Sequence, residues 1–345
     1  MKKLVCAILV LVLLLCSCAF AEGEKIHVRL GVEHAIETIE DCFYWSAVYL
    51  GFFEEEGLEV ELVPKKGNNS AQMCVAGEVD FGMPSPTTIL SAVAGGMDLV
   101  IVYQDAVNNV FGFVTTEESG IKEWKDFEGK TIAAWSGCEP NSNAILMSAG
   151  VDIDTVEYVA SYDQRSALLA TGTVDAAFTW QGEWQVWEGT LNKPMIYFDG
   201  TDPLPNCANA WVCTREYYEN HKDIIEKVGR AIAKGTYFCG ANPLAAGMIT
   251  KAIMPTVEMS DESAKKVAEG VYELMMPDDG VFGHSDKDKW QLNIDWVTYF
   301  GAIPEGVIDL DDLIRTDEFI DAYNDWDQAE VQEIADNFDV STIKW

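Results

Sequence analysis

Two hydrophobic periods alternate along most of the chain. From Ile26 to Val32 apolar residues take every second position, with His27, Arg29 and Gly31 between them, the pattern of a strand with one face more buried. A helix is expected from Tyr44 to Glu56, stopped by Gly57, and Leu58 to Val63 returns to period two. The order then recurs as a helix near Ser70 to Ala76, a short strand Asp80 to Met83, a helix Pro86 to Ala94 and a strand Leu99 to Tyr103. A second series follows Gly112: a strand to Thr116, strand Lys130 to Ala134, helix Asn141 to Ala149, strand Val156 to Ala160, helix Gln164 to Thr171 and strand Val174 to Phe178. Strands alternating with helices of this length predict an α/β fold whose mixed, largely parallel sheets are covered on both faces. A helical C-terminal extension comes next, clearest at Asp223 to Ala241, Ser260 to Met276, Lys287 to Tyr299 and Thr316 to Tyr323. No long structureless interval separates the two α/β units, so they are expected to pack together, with a small-ligand cleft between them.

The first 21 residues stand apart. Lys2 and Lys3 precede twelve apolar residues, Leu4 to Leu15, and the small-residue cluster Ser17 to Ala21, the make-up of an export signal. The apolar run is shorter than the roughly 20 residues of a membrane-spanning helix, so the mature chain is expected outside the cytoplasm, in the periplasm or at the cell surface. Two processing routes fit: Ala19-Phe20-Ala21 suits ordinary cleavage, whereas Leu15-Cys16-Ser17-Cys18 suits a lipoprotein signal in which acylated Cys18 is the membrane anchor.

Composition narrows the function further. A chain of 345 residues, 48% hydrophobic, buries a sizeable core and suggests about two domains. The net charge of −34 argues against nucleic acid or anionic lipid as a partner. Outside the signal lie Cys42, Cys74, Cys138, Cys207, Cys213 and Cys239, with no C-x-x-C among them. Buried free thiols are expected, Cys207 with Cys213 being the best disulfide candidate by proximity. His27, His34, His221 and His284 are scattered, so no metal site is read. Gly129-Lys130-Thr131 lacks the earlier glycine of a phosphate loop, Trp124 standing there, and no G-x-S-x-G elbow occurs. The acidic stretch Glu305 to Asp339, with Asp309 to Asp312 inside it, lacks calcium-loop spacing and reads as a solvated helical face. Neither a catalytic residue nor a cofactor emerges.

Ligands of open α/β sheets sit beyond the carboxyl ends of the strands, and that rule selects the candidate ligand-binding residues. In the first unit they are Asp41 and Trp45 in the loop Glu33 to Trp45, Asn68 and Asn69 in the turn before Ser70, Ser85 with Thr87, and Asp105 with Asn108. In the second unit they are Ser136, Gly137, Cys138 and Asn141, then Trp180, Gln181 and Glu183. The small-residue turns open helices, where backbone N–H groups favour anionic or carbonyl oxygens; helix capping is the structural alternative. Aromatic rings beside a carboxylate suit a planar nitrogenous ring or a cation. A sulfonate pocket would ask for an Arg fork, and these loops supply only Lys65, Lys66 and Arg165.

Five ordered motifs carry a family resemblance: Gly51-Phe-Phe-Glu-Glu-Glu-Gly-Leu-Glu-Val-Glu-Leu62, Ala76-Gly-Glu-Val-Asp-Phe-Gly82, Ser85-Pro86, Asp126-Phe-Glu-Gly-Lys-Thr-Ile-Ala133 and Thr171-Gly-Thr-Val-Asp-Ala-Ala-Phe-Thr-Trp180. Together they resemble the solute-binding proteins of ABC importers for sulfonates, taurine, nitrate and the pyrimidine precursor of thiamine. The resemblance implies a two-lobed type II periplasmic-binding-protein fold. One lobe would be 26–114 plus 207–345 and the other 115–206, with the chain crossing near Gly112 to Thr116 and near Asn206 to Thr214. It implies a monomer that captures a small solute by hinge closure and passes it to membrane permease subunits, the ligand being an amine-bearing heterocycle ahead of an alkanesulfonate or nitrate-type anion. Two rivals stand beside it: a sensing partner of a membrane receptor, and an enzyme, since a eukaryotic branch of the fold makes the thiamine pyrimidine with a cysteine-rich iron motif that this chain lacks.

Overall fold

The structure, a computed structural model, describes residues 25–33, 41–254, 259–277 and 279–345. The export signal, with Cys18, and positions 34–40 of the first loop lie outside the described residues.

Two five-stranded mixed sheets organise the described chain. In the first, β1 (Ile26–Val32) lies parallel to β2 (Leu58–Pro64), in register from Ile26 opposite Leu58, and to β3 (Phe81–Gly82). Two more strands complete it: β4 (Leu99–Gln104) at one edge and β10 (Ala210–Thr214) running antiparallel between β3 and β4, giving the order β2-β1-β3-β10-β4. The second sheet has the order β7-β6-β8-β5-β9. There β6 (Thr131–Ala134) is parallel to β7 (Glu157–Ala160) and β8 (Ala176–Trp180). β5 (Phe111–Thr115) is antiparallel to both β8 and β9 (Ile196–Asp199). The parallel pairs are those joined through helices, as crossover geometry requires; the antiparallel strands flank the two passages between sheets, 105–110 and 200–209.

The strand cores follow the sequence pattern. Val28, Leu30 and Val32 are buried while His27 stays exposed, and all six residues of β4 are buried although it is an edge strand, because bridges from Ile314 to Ile101 and from Gly283 to Gln104 cover that edge. The twenty-residue helix Lys222–Ala241 turns Ile225, Val228, Ile232 and Phe238 inward and packs on the helix Cys42–Tyr49. The approach is close enough that a Cβ on Gly235 would stand 2.3 Å from the Phe43 carbonyl oxygen. None of the described helices is long and apolar enough to cross a membrane.

Several expectations change. The helix expected over Tyr44 to Glu56 is two, Cys42–Tyr49 and Phe52–Glu55, because Gly51 adopts φ 80° and breaks the ladder between them. The strand expected after Gly112 forms as β5 and pairs with β8 and β9, so the first passage lies before it, at 105–110, and not at Gly112 to Thr116. β9 and β10 had no counterpart in the pattern, nor did the helices Glu183–Leu191, Pro243–Ala252 and Gln328–Asn337. All six described cysteines are buried thiols. Cys207 and Cys213 sit in separate core clusters, the former beside Asn293. Cys42 and Cys239 instead approach to 3.8 Å between sulfurs.

Candidate functional site

Both sheets turn the carboxyl ends of their parallel strands toward loops that carry polar and aromatic side chains. On the first sheet, the Glu33 carboxylate at the end of β1 accepts from the Ser70 backbone N–H at 2.7 Å and the Ser70 hydroxyl at 2.6 Å, and pairs with Lys65 at 3.2 Å. The chain thus places its own anion where the helix Ser70–Val75 opens. Asn69 caps that helix through a reciprocal box with Gln72, and Asn68 reaches Glu78 at 3.4 Å on the exposed surface. Ser85 is likewise a cap, accepting from the Thr88 N–H.

Ser85, Thr87 and Asn141 meet where the two sheets' bodies face each other. The Thr87 hydroxyl lies 3.5 Å from Asn141 Oδ1, one residue from each body. They border a cavity of about 40 Å³ together with Asn109, Asn206, Asn293 and Trp296. At about 10–15 Å³ per water this holds a few waters, against the roughly 300 Å³ and upward of a small-molecule site. The bodies also touch through Lys266 and Glu188 at 3.1 Å, and Trp296 and Phe300 of the helix Lys287–Tyr299 and its cap pack against the second sheet's core.

At the ends of β6, β7 and β8 stand Trp135, Tyr162 and Trp180. Their rings surround the guanidinium of Arg165, each centroid 5.0 Å from its central carbon, and Trp187 closes the box at 5.1 Å. Arg165 is buried, and its nitrogens donate to the Tyr162 carbonyl at 2.9 Å, the Phe178 carbonyl at 2.7 Å and Glu183 Oε1 at 2.7 Å. The other Glu183 oxygen accepts from the Thr179 hydroxyl at 2.7 Å. Glu183 therefore belongs to the helix Glu183–Leu191 that it opens and to Arg165, where a loop carboxylate was expected. Gln181 accepts from the Trp184 indole N–H at 2.7 Å. Ser136 and Gly137 form the turn after β6, and buried Cys138 follows as the residue before the helix Glu139–Ser148. Burial, reinforced by Glu139 and opposed by Arg165, pushes the Cys138 thiol up to about 12, so it stays protonated at neutral pH.

The remaining candidates lie elsewhere. Asp41 is buried ahead of the helix Cys42–Tyr49, and the Trp45 ring packs edge-on against Trp345, centroids 5.7 Å apart. Asp105 begins the first passage, buried. Asn108 donates to the Glu273 carbonyl and accepts from Lys289 at 2.9 Å, on a separate cavity of about 180 Å³. Trp135 and Tyr162 escaped the sequence reading although they obey the same strand-end rule as Trp180. Asn293 and Trp296 carry no local signal.

Comparison with known proteins adds a family. A profile described as NMT1/THI5 like matches residues 41–246. The formylaminopyrimidine-binding protein of Halalkalibacterium halodurans is 22% identical over 301 residues, covering 80% of this chain and 89% of that protein. The 4-amino-5-hydroxymethyl-2-methylpyrimidine phosphate synthase of Schizosaccharomyces pombe is 32% identical over 84 residues, 24% of each chain. The solved periplasmic aliphatic sulphonate binding protein of Escherichia coli superposes with a TM-score of 0.64 at 17% identity, over 84% of this chain and 92% of that one. With the profile spanning more than half of the sequence, and the fold shared with solved binding proteins over most of it, the chain belongs to the NMT1/THI5 like family.

Proposed function

We propose that this chain captures a planar, amine-bearing heterocycle, of the kind a thiamine pyrimidine precursor represents, outside the cytoplasm and presents it to the permease subunits of an ABC importer. Closure of two bodies, 26–104 plus 210–345 around the first sheet against 111–199 around the second, would grip the guest without chemical change, the protein acting as a monomer. The described form leaves about 40 Å³ between Thr87 and Asn141, so the bodies must part to admit a ring. A ligand that touches both then favours the closed state through its differential affinity.

The observation that carries the ligand class is the state of the arginines. The chain has five, Arg29, Arg165, Arg215, Arg230 and Arg315, and each is paired with a carboxylate within 2.9 Å. An oxyanion is held best by fork donors of this type, and the one at the strand ends is buried and saturated. What the same place offers is aromatic face, and Glu33 at Ser70 further reduces the donors open to an anion. Trp135, Tyr162 and Trp180 would stack on the ring, with Ser85, Thr87 and Asn141 closing on its polar edge.

Isothermal titration with formylaminopyrimidine, hydroxymethyl-aminopyrimidine, taurine, an alkanesulfonate and nitrate tests the reading. Saturable heat with a pyrimidine and none with the anions is expected; a response to the sulfonates alone overturns it. Conversion of any titrant to a new mass during incubation would point instead to an enzyme, the class to which the name of the fission-yeast relative assigns that protein.

A further inference from the structure

We infer that Arg165 sets the ligand class by occupying the interior of the aromatic box from within the protein. The inference rests on the heterocycle reading only for the identity of the guest, not for the box itself. Trp135, Tyr162, Trp180 and Trp187 stand 5.0–5.1 Å from one cation, inside the roughly 6 Å over which an aromatic face attracts a positive charge. Rings grouped in this way around a cation form the kind of cage that holds quaternary ammonium ligands, and the Glu183 carboxylate at 2.7 Å from the guanidinium adds the counter-charge. In this chain the cage is filled: the Arg165 side chain is 1% exposed, and all three kinds of guanidinium nitrogen donate to protein oxygens.

Two effects follow from that occupancy. A soluble cation cannot enter the box without displacing a guanidinium that holds three hydrogen bonds, one of them to a carboxylate. Meanwhile Arg165, on the first turn of the helix Arg165–Ala170, ties the ends of β7, β8 and the helix Glu183–Leu191 together through Tyr162, Phe178 and Glu183, which fixes the rings' orientation. Arg165 is a positioning residue that also determines specificity: the strand ends present ring surface to a neutral heterocycle, and the cation seat beneath is taken.

Replacing the guanidinium should empty the seat and leave Glu183 at its wall. The test is titration of tetramethylammonium chloride, at ionic strength held constant with NaCl, into the unaltered protein and into Arg165→Ala and Arg165→Gln, followed by Trp fluorescence. Far-ultraviolet circular dichroism identifies which variants are folded, Gln keeping an amide donor for the neighbouring carbonyls. A folded variant is expected to bind tetramethylammonium at least tenfold more tightly than the unaltered protein, and a second change, Glu183→Gln, to erase most of the gain. A purely structural role for Arg165 would produce no such gain. The inference is overturned if folded variants gain nothing, or if the unaltered protein already binds tetramethylammonium as tightly as any pyrimidine. Should the unaltered protein ignore pyrimidines while Arg165→Ala gains the ammonium ion, the heterocycle reading falls and this one stands.

Discussion

At the scale of single residues, a half-buried carboxylate marks the start of the second passage between sheets. Asp199, at the end of β9, has its carboxyl raised above the ordinary 3.8 by burial, with the nearby Asp202 charge adding to it and hydrogen bonds from Thr201 opposing. A carboxyl whose folded value exceeds its unfolded one contributes stability that is complete below the unfolded value and is lost as pH rises through the folded one. At neutral pH the ionised, desolvated Asp199 is therefore a net cost. Asp199→Asn, which keeps an oxygen for the Thr201 N–H, is expected to raise the urea midpoint at pH 7, with the advantage shrinking as pH falls toward 4. A variant no more stable than the parent at pH 7 would contradict this. Residues also mark the limit of what the sequence discloses. Trp180 was legible because it follows a strand, but that its face is turned to Arg165 was not, since residues 135, 162, 165 and 180 come together only when β6, β7 and β8 align.

Among the elements, those with a clear period were legible and those without one were not. β1 and β2 alternate apolar and polar residues and appear where expected. β10, Ala-Trp-Val-Cys-Thr, is buried along almost its whole length, so no alternation distinguishes it from a passage. The helix Glu183–Leu191 holds Gly189 and two tryptophans, poor local evidence for a helix, and forms because Trp187 and Gln185 are buried against neighbouring structure. Helix packing also yields a prediction. With Phe43 oxygen 2.3 Å from where a Cβ would stand, Gly235→Ala forces the helices Lys222–Ala241 and Cys42–Tyr49 apart. Since the obstacle is backbone, the loss is expected to be about 1–3 kcal/mol, measured by urea denaturation. An unchanged midpoint would mean that the two helices slide freely.

For the whole molecule, charge is the dominant general property. Fifty-seven acidic against twenty-three basic residues give −34, and self-repulsion of that size opposes compaction. At about 0.1 M salt the screening length falls to roughly 10 Å, so raising NaCl from 10 to about 300 mM is expected to raise the melting temperature measured by calorimetry. The exposed ion pairs, such as Lys287 with Asp311 at 2.6 Å, weaken over the same range but contribute little singly. A melting temperature that falls with salt would show that those pairs outweigh the repulsion. Two α/β units with a C-terminal helical part were readable from periodicity; which strands each sheet contains was not, because β10 joins the first sheet more than a hundred residues after β4.

That late arrival governs how the protein comes into being. All five strands of the second sheet lie in one uninterrupted stretch, 111–199, whereas the first sheet stays unfinished until Ala210–Thr214 slots between β3 and β4. A chain emerging residue by residue can thus complete its later half while its earlier half still waits, with Phe81–Gly82 and Leu99–Gln104 lacking the neighbour that joins them. Closing so long a loop is slow, and the gap between β3 and β4 is where a stalled or truncated nascent chain would remain open to foreign strands.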